Sequence, residues 1–175
     1  MPSRDDWALA YAAQSQSDWG IYWLLVRHRP PVPACHELHY LQMATEKIAK
    51  AYMFRDTATR EQGLQQAHVA FSKMIGMFLK SPQVKAWYRN RPSDLSEIAV
   101  VAHRLARSIE KLNPAVDREG SPTNVEYPWE SGGAIHVPCQ QTVFPTVRPL
   151  EAGAGLASLR LVGKAVEDFA SLRLL

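Results

Sequence analysis

The chain has 175 residues, of which 46% are hydrophobic and 21% are charged, and its formal net charge is +3; such values describe one ordinary globular domain. No apolar run approaches the roughly 18 residues of a membrane-spanning helix, the N-terminal sequence lacks the apolar core of a secretory signal, and the scattered basic residues form no long stripe for nucleic acid. We therefore expect a single domain over residues 1–175 that works in the cytoplasm, without a membrane partner and with Cys35 and Cys139 reduced.

The first part of the chain predicts two long helices separated by a proline-rich break. The first is expected from about Asp5 to Val26, because acidic residues suit the exposed N–H groups of a helix N-terminus. The sequence RHRPPVP ends it, since proline cannot donate a backbone hydrogen bond. The second is expected from about Ala34 to Arg55, where apolar residues recur at helical spacing. Within it, Glu46 and Lys50 are predicted to pair on the outer face.

The middle of the chain predicts two further helices. The third is expected from about Arg60 to Leu79, on the apolar face that its second half provides, and the Ser-Pro pair that follows ends it. A short helical turn around Gln83–Tyr88 is compatible with the residues there. The fourth helix is expected to begin at Ser93 and to end before the Asn-Pro pair at 113–114.

Residues 114–151 predict a long irregular segment, since six of the twelve prolines fall there. Within it, Ile135–Val137 and Thr142–Phe144 are expected to pair as a small hairpin. A last helix is predicted from about Gly155 to Leu172. The predicted fold is therefore all-α: a five-helix bundle with a long irregular loop before the last helix.

The stretch HYLQMATEKIAKAYMFR, residues 39–55, resembles the second helix of HEPN-domain proteins. That helix carries the recurring pattern Ala-x-Glu-Lys-x-x-Lys-Ala. The residues that match the pattern in this chain are Ala44, Glu46, Lys47, Lys50 and Ala51. The order of the predicted helices is also similar to that of the family, so the resemblance implies a HEPN-like helical bundle over the whole chain.

A second point of resemblance lies in the segment NVEYPWE, residues 124–130. Many HEPN domains carry an Arg-Tyr-Pro segment before their last helix, and Tyr127 and Pro128 match it, whereas Glu126 stands where the family often has Arg. Two aromatic residues, two carboxylates and a proline are more than a connecting loop needs. The segment is either an internal clamp on the bundle or a contact surface for a partner, and an acidic loop favours a protein partner over RNA phosphate.

The resemblance implies two kinds of activity. Many HEPN proteins are metal-independent ribonucleases of toxin–antitoxin or phage-defence systems, whose motif near the start of a late helix has four to six residues between an Arg and a His. Others bind nucleotides or partner proteins. In this chain only Arg29 and His36 have that spacing, and they lie at the junction of the first two helices. His136, in the long loop near EYPWE, is the third catalytic candidate.

The last predicted helix holds no histidine, which favours a HEPN-like binding or regulatory subunit of a bacterial stress, toxin–antitoxin or phage-defence system. It is expected to act as a homodimer or with a partner protein. The alternative is a metal-independent ribonuclease with a divergent Arg/His site, for which RNA or a nucleotide would be the ligand. The predicted partner-binding residues combine the aromatic first helix with the acidic loop: Trp19, Trp23, Glu126, Tyr127, Trp129 and Glu130.

A metal site has little support in the sequence. Cys35, His36 and His39 are clustered, and Cys139 or His136 would complete a tetrahedral set. The chain has no CxxC and no HExxH motif, however. We therefore expect neither a metal ion nor an organic cofactor.

Overall fold

The computed structural model of the chain describes residues 2–117, 119–120, 122–142, 144, 147, 150 and 153–172. The described residues are mostly helical, in agreement with the predicted fold class, and a small two-stranded sheet is added to the helices. The helices are α1 (Arg4–Arg27), α2 (Ala34–Arg55), α3 (Ala70–Lys80), α4 (Pro82–Trp87), α5 (Pro92–Glu110) and α6 (Gly153–Glu167).

Helices α1 and α2 form an antiparallel pair with nearly the predicted bounds. A capping box at Ser3 starts α1: its hydroxyl accepts a hydrogen bond from the backbone of Asp6, whose carboxylate accepts one from the backbone of Ser3. At the same end of the pair, the guanidinium of Arg4 donates to the carbonyl oxygens of Met53 and Phe54 at 3.0 and 2.9 Å. It thereby satisfies acceptors in the last turn of α2 that have no partner within the helix.

The third helix is ten residues shorter at its start than predicted. It begins at Ala70 rather than near Arg60, because Gly63 adopts a left-handed backbone with φ of 83° and a single 3₁₀ turn, Leu64–Gln66, follows it. The short helical turn proposed around Gln83–Tyr88 is present as α4, with Pro82 in its first turn.

A hairpin is present in this segment, but its strands are not the two that the sequence predicts. Strand β1 (Trp129–Ser131) pairs antiparallel with β2 (Ala134–His136), whereas Thr142 and Phe144 lie outside any strand and residue 143 falls outside the described residues. Gly132 and Gly133 connect the two strands with φ of 61° and 75°. Two consecutive positive φ values form the tight turn whose twist matches that of a hairpin.

Helix α2 is the centre of the bundle. It contacts α1, α3, α5 and α6, and its side chains at Leu41, Ile48 and Met53 are at most 1% exposed. Helix α6 begins two residues before its predicted start and ends at Glu167, after which a turn continues to residue 171. Within the described residues, no helix combines the length and the apolarity that crossing a membrane requires.

Candidate functional site

Glu46, on α2, is the centre of a network of polar side chains. Its Oε1 accepts a hydrogen bond of 2.7 Å from Nζ of Lys50, one turn later. Its Oε2 accepts one of 2.9 Å from Nε2 of Gln42, one turn earlier. The side chains of Glu46 and Lys50 are only 12% and 5% exposed. The predicted ion pair therefore exists, but its predicted place on the outer face is wrong, because residues beyond α2 cover it.

Two of the covering residues contact the same carboxylate. Nδ1 of His68, in the loop before α3, lies 3.2 Å from Oε2 of Glu46, and Nδ2 of Asn113, just after α5, lies 3.3 Å from it. Nζ of Lys50 also donates to the carbonyl oxygen of Gln65 at 2.8 Å. The cluster of Gln42, Glu46, Lys50, His68 and Asn113, called the Glu46 cluster below, ties α2 to the loop before α3 and to the end of α5.

The charge of Glu46 is stabilised by this arrangement. Burial by itself would raise the pKa of Glu46, but the hydrogen bond and the charge of Lys50, together with those of His68, lower it below its ordinary value. The carboxylate is therefore ionised at neutral pH. A buried ion pair of this kind is stable only while all of its donors remain in place.

The orientation of His68 is one that suits proton transfer. Glu46 holds the ring through Nδ1, the side chain is 40% exposed, and no hydrogen bond within the described residues engages Nε2. A carboxylate that orients an imidazole in this way leaves the second nitrogen available for proton transfer. His68 is not among the site residues predicted from the sequence, because no feature near it in the chain indicates its contact with Glu46.

The first half of the NVEYPWE segment is anchored in the bundle. Asn124 is 5% exposed, and its Oδ1 accepts hydrogen bonds from the backbone nitrogens of Glu126 and Tyr127 at 2.9 and 2.7 Å. The side chain of Val125 is buried, and its backbone nitrogen donates to the carbonyl oxygen of Leu112. This half of the segment is an internal clamp, since a buried asparagine sets the turn and a buried valine fixes it to the turn that follows α5.

The second half of the segment faces outward. Tyr127 is 57% exposed, Ile135 on the paired strand is 77% exposed, and Glu130 is exposed as well. Trp129 is half-buried and stacks on His136 with ring centroids 5.4 Å apart. The exposed side chains of residues 126–136, called the hairpin surface below, are therefore presented by a two-stranded support.

The three predicted catalytic residues are not joined to one another. The guanidinium of Arg29 donates to the carbonyl oxygens of Val26 and His28, at 3.2 and 2.7 Å. His36 is exposed on the first turn of α2, and His136 stacks on Trp129. Among the described residues, no hydrogen bond or ion pair connects any two of Arg29, His36 and His136.

The two predicted partner-binding tryptophans of α1 have different surroundings. Trp19 is 5% exposed and packs so closely on α6 that a Cβ at Gly163 would lie 3.2 Å from its ring. Its ring therefore belongs to the core and offers no surface to a partner. Trp23 is half-buried, and the guanidinium of Arg27 lies 5.5 Å from its ring centroid.

The remaining predicted contact, Glu126, faces α2. Its Oε1 lies 3.8 Å from Nδ1 of His39, an ion pair when the histidine is protonated. In the part of the chain that is described, no three His, Cys, Asp or Glu side chains are grouped as metal ligands. Cys35 is buried and Cys139 is exposed, and both are free thiols.

Comparison with known proteins returned no relative: no protein-family model, no curated protein and no solved structure matches the chain.

Proposed function

We propose that the chain is a HEPN-like helical bundle that serves as a binding or regulatory subunit of a bacterial stress, toxin–antitoxin or phage-defence system. It acts through a homodimer or partner-protein interface at the hairpin surface. The observation that carries the proposal is the combination of exposed Tyr127 and Ile135 on a support that buried Asn124 and Val125 hold in place. Apolar side chains held in the solvent by an anchored support are typical of a contact surface.

The five residues of the Ala-x-Glu-Lys-x-x-Lys-Ala pattern on α2 support the packing of the bundle. Ala44 and Ala51 are 0% exposed, where small side chains allow neighbouring helices to approach closely. Glu46 and Lys50 form the centre of the Glu46 cluster, and Lys47 pairs with Asp18 of α1. Every position of the pattern therefore holds α2 against another part of the chain.

The chemistry of the hairpin surface favours a partner that is apolar at its centre and basic at its edge. Glu126 and Glu130 flank Tyr127 in the sequence, and carboxylates repel RNA phosphate. Within the described residues, each strand of the two-stranded sheet also keeps one unpaired edge, to which the backbone of another chain can add. A protein partner can satisfy both the side chains and the edge.

The proposal is tested by substituting the two exposed apolar residues together, as Tyr127→Ser with Ile135→Ser. Sedimentation velocity reports on the homodimer, and co-purification with the product of the neighbouring gene reports on a partner. We expect association of the wild-type chain to be lost in the double variant, because the centre of the contact is removed. The matched control is Leu24→Ser with Val100→Ser, which removes similarly exposed apolar groups, 62% and 68% exposed, from α1 and α5.

Two outcomes would contradict this function. One is a wild-type chain that neither self-associates nor co-purifies with that product. The other is association that survives the hairpin variant and is lost in the control variant. Circular dichroism of both variants establishes that each remains folded.

The second candidate is a metal-independent ribonuclease, and the pairing of His68 with Glu46 is the observation that favours it. The test is cleavage of bulk tRNA and of a synthetic single-stranded RNA in EDTA. His36→Ala, His136→Ala and His68→Ala are compared with the wild-type chain. Cleavage that disappears in one folded variant would identify the catalytic histidine, whereas no cleavage by folded wild-type protein leaves the binding function in place.

A further inference from the structure

A cavity of about 330 Å³ lies between the end of α1, the first turns of α2 and the start of α6. The described residues that line it are mainly apolar, among them Val26, Leu38, Phe144 and Leu156. A volume of this size suits a small organic molecule. Glu37 is the one charged residue among the described residues that line it.

The carboxylate of Glu37 lacks a hydrogen-bond donor. Within the described residues, no N–H or O–H group donates to it. Burial raises the pKa of Glu37, and the positive charge of Arg29 offsets only part of this effect. The guanidinium of Arg29 instead donates to the carbonyl oxygens of Val26 and His28. A half-buried carboxylate without a donor costs free energy that a bound cation would offset.

Aromatic rings form the wall beside Glu37. Tyr22 and Trp23 both line the cavity, and their ring centroids are 5.0 Å apart. Burial, together with the charge of Glu37, raises the pKa of Tyr22 to about 12, so its hydroxyl stays protonated. Trp23 already attracts one cation, Arg27, to its ring. Aromatic faces beside a carboxylate are the groups that recognise organic ammonium ions.

We propose that this cavity binds a small organic cation: an ammonium group against Glu37, Tyr22 and Trp23, with an aliphatic portion against the apolar walls. An anion of the same size would be repelled by Glu37, and a neutral molecule would leave the carboxylate without a counter-charge. The site is separate from the hairpin surface and does not depend on the function proposed there.

The experiment is isothermal titration calorimetry of the full chain with hexyltrimethylammonium. Hexanoate and 1-hexanol, which have the same carbon chain, are titrated as the anionic and neutral comparisons. Three variants accompany the wild type. Glu37→Gln keeps the shape of the side chain and removes its charge, and Arg29→Gln removes the competing cation. Glu97→Gln removes an exposed carboxylate from α5, away from the lining, and serves as the control.

We expect the cation to bind more tightly than either comparison molecule. Glu37→Gln should weaken it on the order of tenfold, and Arg29→Gln should tighten it, because the two side chains have opposite charge effects at the same place. Glu97→Gln should leave the affinity unchanged. The proposal is overturned if the wild-type chain does not bind the cation, if hexanoate or 1-hexanol binds as tightly, or if Glu37→Gln has no larger effect than Glu97→Gln. A shift in the near-ultraviolet spectrum of Trp23 on binding, absent in Trp23→Leu, gives a second measurement in case one charge variant fails to fold.

Discussion

Oε1 of Glu110 lies 2.8 Å from the backbone nitrogen of Ser72, so a side chain of α5 caps the N-terminus of α3. The residue before α3 is Val69, which has no side-chain acceptor, and α3 has no cap of its own. The first N–H groups of a helix lack partners within it. Glu110 therefore joins the two helices and satisfies one of these donors at the same time.

The cap predicts different effects for two substitutions of Glu110. Glu110→Ala removes the acceptor and should lower the free energy of unfolding by about 1 kcal/mol. Glu110→Gln keeps an acceptor and removes a buried charge, and burial raises the pKa of Glu110. The glutamine variant should therefore equal or exceed the stability of the wild type at pH 7. Urea denaturation distinguishes the two, and a glutamine variant as unstable as the alanine variant would contradict the cap.

The structure of the Glu46 cluster predicts a large decrease in the free energy of unfolding when either Glu46 or Lys50 is replaced. Glu46→Ala or Lys50→Met should each cost about 3–5 kcal/mol, because each leaves a buried charge without its partner. The double variant should cost less than the sum, since it leaves no unpaired charge. Urea denaturation of the two single variants and the double variant measures the coupling. Glu97→Gln on the exposed face of α5 is the control, and equal effects for Glu97→Gln and Glu46→Ala would disprove a central role for Glu46.

The lowered pKa of Glu46 predicts a loss of stability in acid. Its contribution is fully present above the ordinary value of 4.5 and is lost as the pH falls through the lower folded-state pKa, since protonation removes the charge that the donors stabilise. Unfolding free energies measured from pH 7 down to pH 3 should therefore fall more steeply in the wild type than in Glu46→Gln. Parallel curves for the two proteins would show that Glu46 does not carry this dependence.

Two helical glycines predict opposite results for the same substitution. A Cβ at Gly20 meets no atom within 4 Å, so Gly20→Ala should stabilise the chain by up to about 1 kcal/mol through its helix propensity. A Cβ at Gly163 would lie 3.2 Å from the ring of Trp19, and that close approach should cancel the gain or reverse it. Thermal unfolding of both variants tests the contact, and an equal rise in the two midpoints would contradict tight packing of Trp19 on α6.

Local signals in the sequence were sufficient to predict where most of the helices lie. The acidic residues at 5–6 and the prolines after Val26 act within a few residues, so the bounds of α1 and the start of α2 follow from them. The errors also have local causes. The Gly-Gly pair at 132–133 marks the observed hairpin turn, and Gly63 marks the break before α3.

For the predicted site residues, the spacing in the sequence did not predict which other elements they contact. Trp19 and Trp23 share a face of α1, yet Trp19 is buried against α6 while Trp23 borders a cavity. Spacing along a helix identifies the face but not the element that covers it. Arg29 and His36 have the spacing of the HEPN motif, and spacing likewise does not decide that the arginine binds its own backbone.

The amino-acid sequence by itself determined the helical class, the bounds of α1 and α2, and the position of the irregular segment, because helix periodicity and proline breaks depend on neighbours in the chain. Only the tertiary structure decided that the side chain of Glu46 is mostly covered and just 12% exposed. Its partners His68 and Asn113 are 22 and 67 residues away, and contacts over such separations form when helices pack. The burial of a charge, and therefore its pKa and its chemistry, depends on that packing.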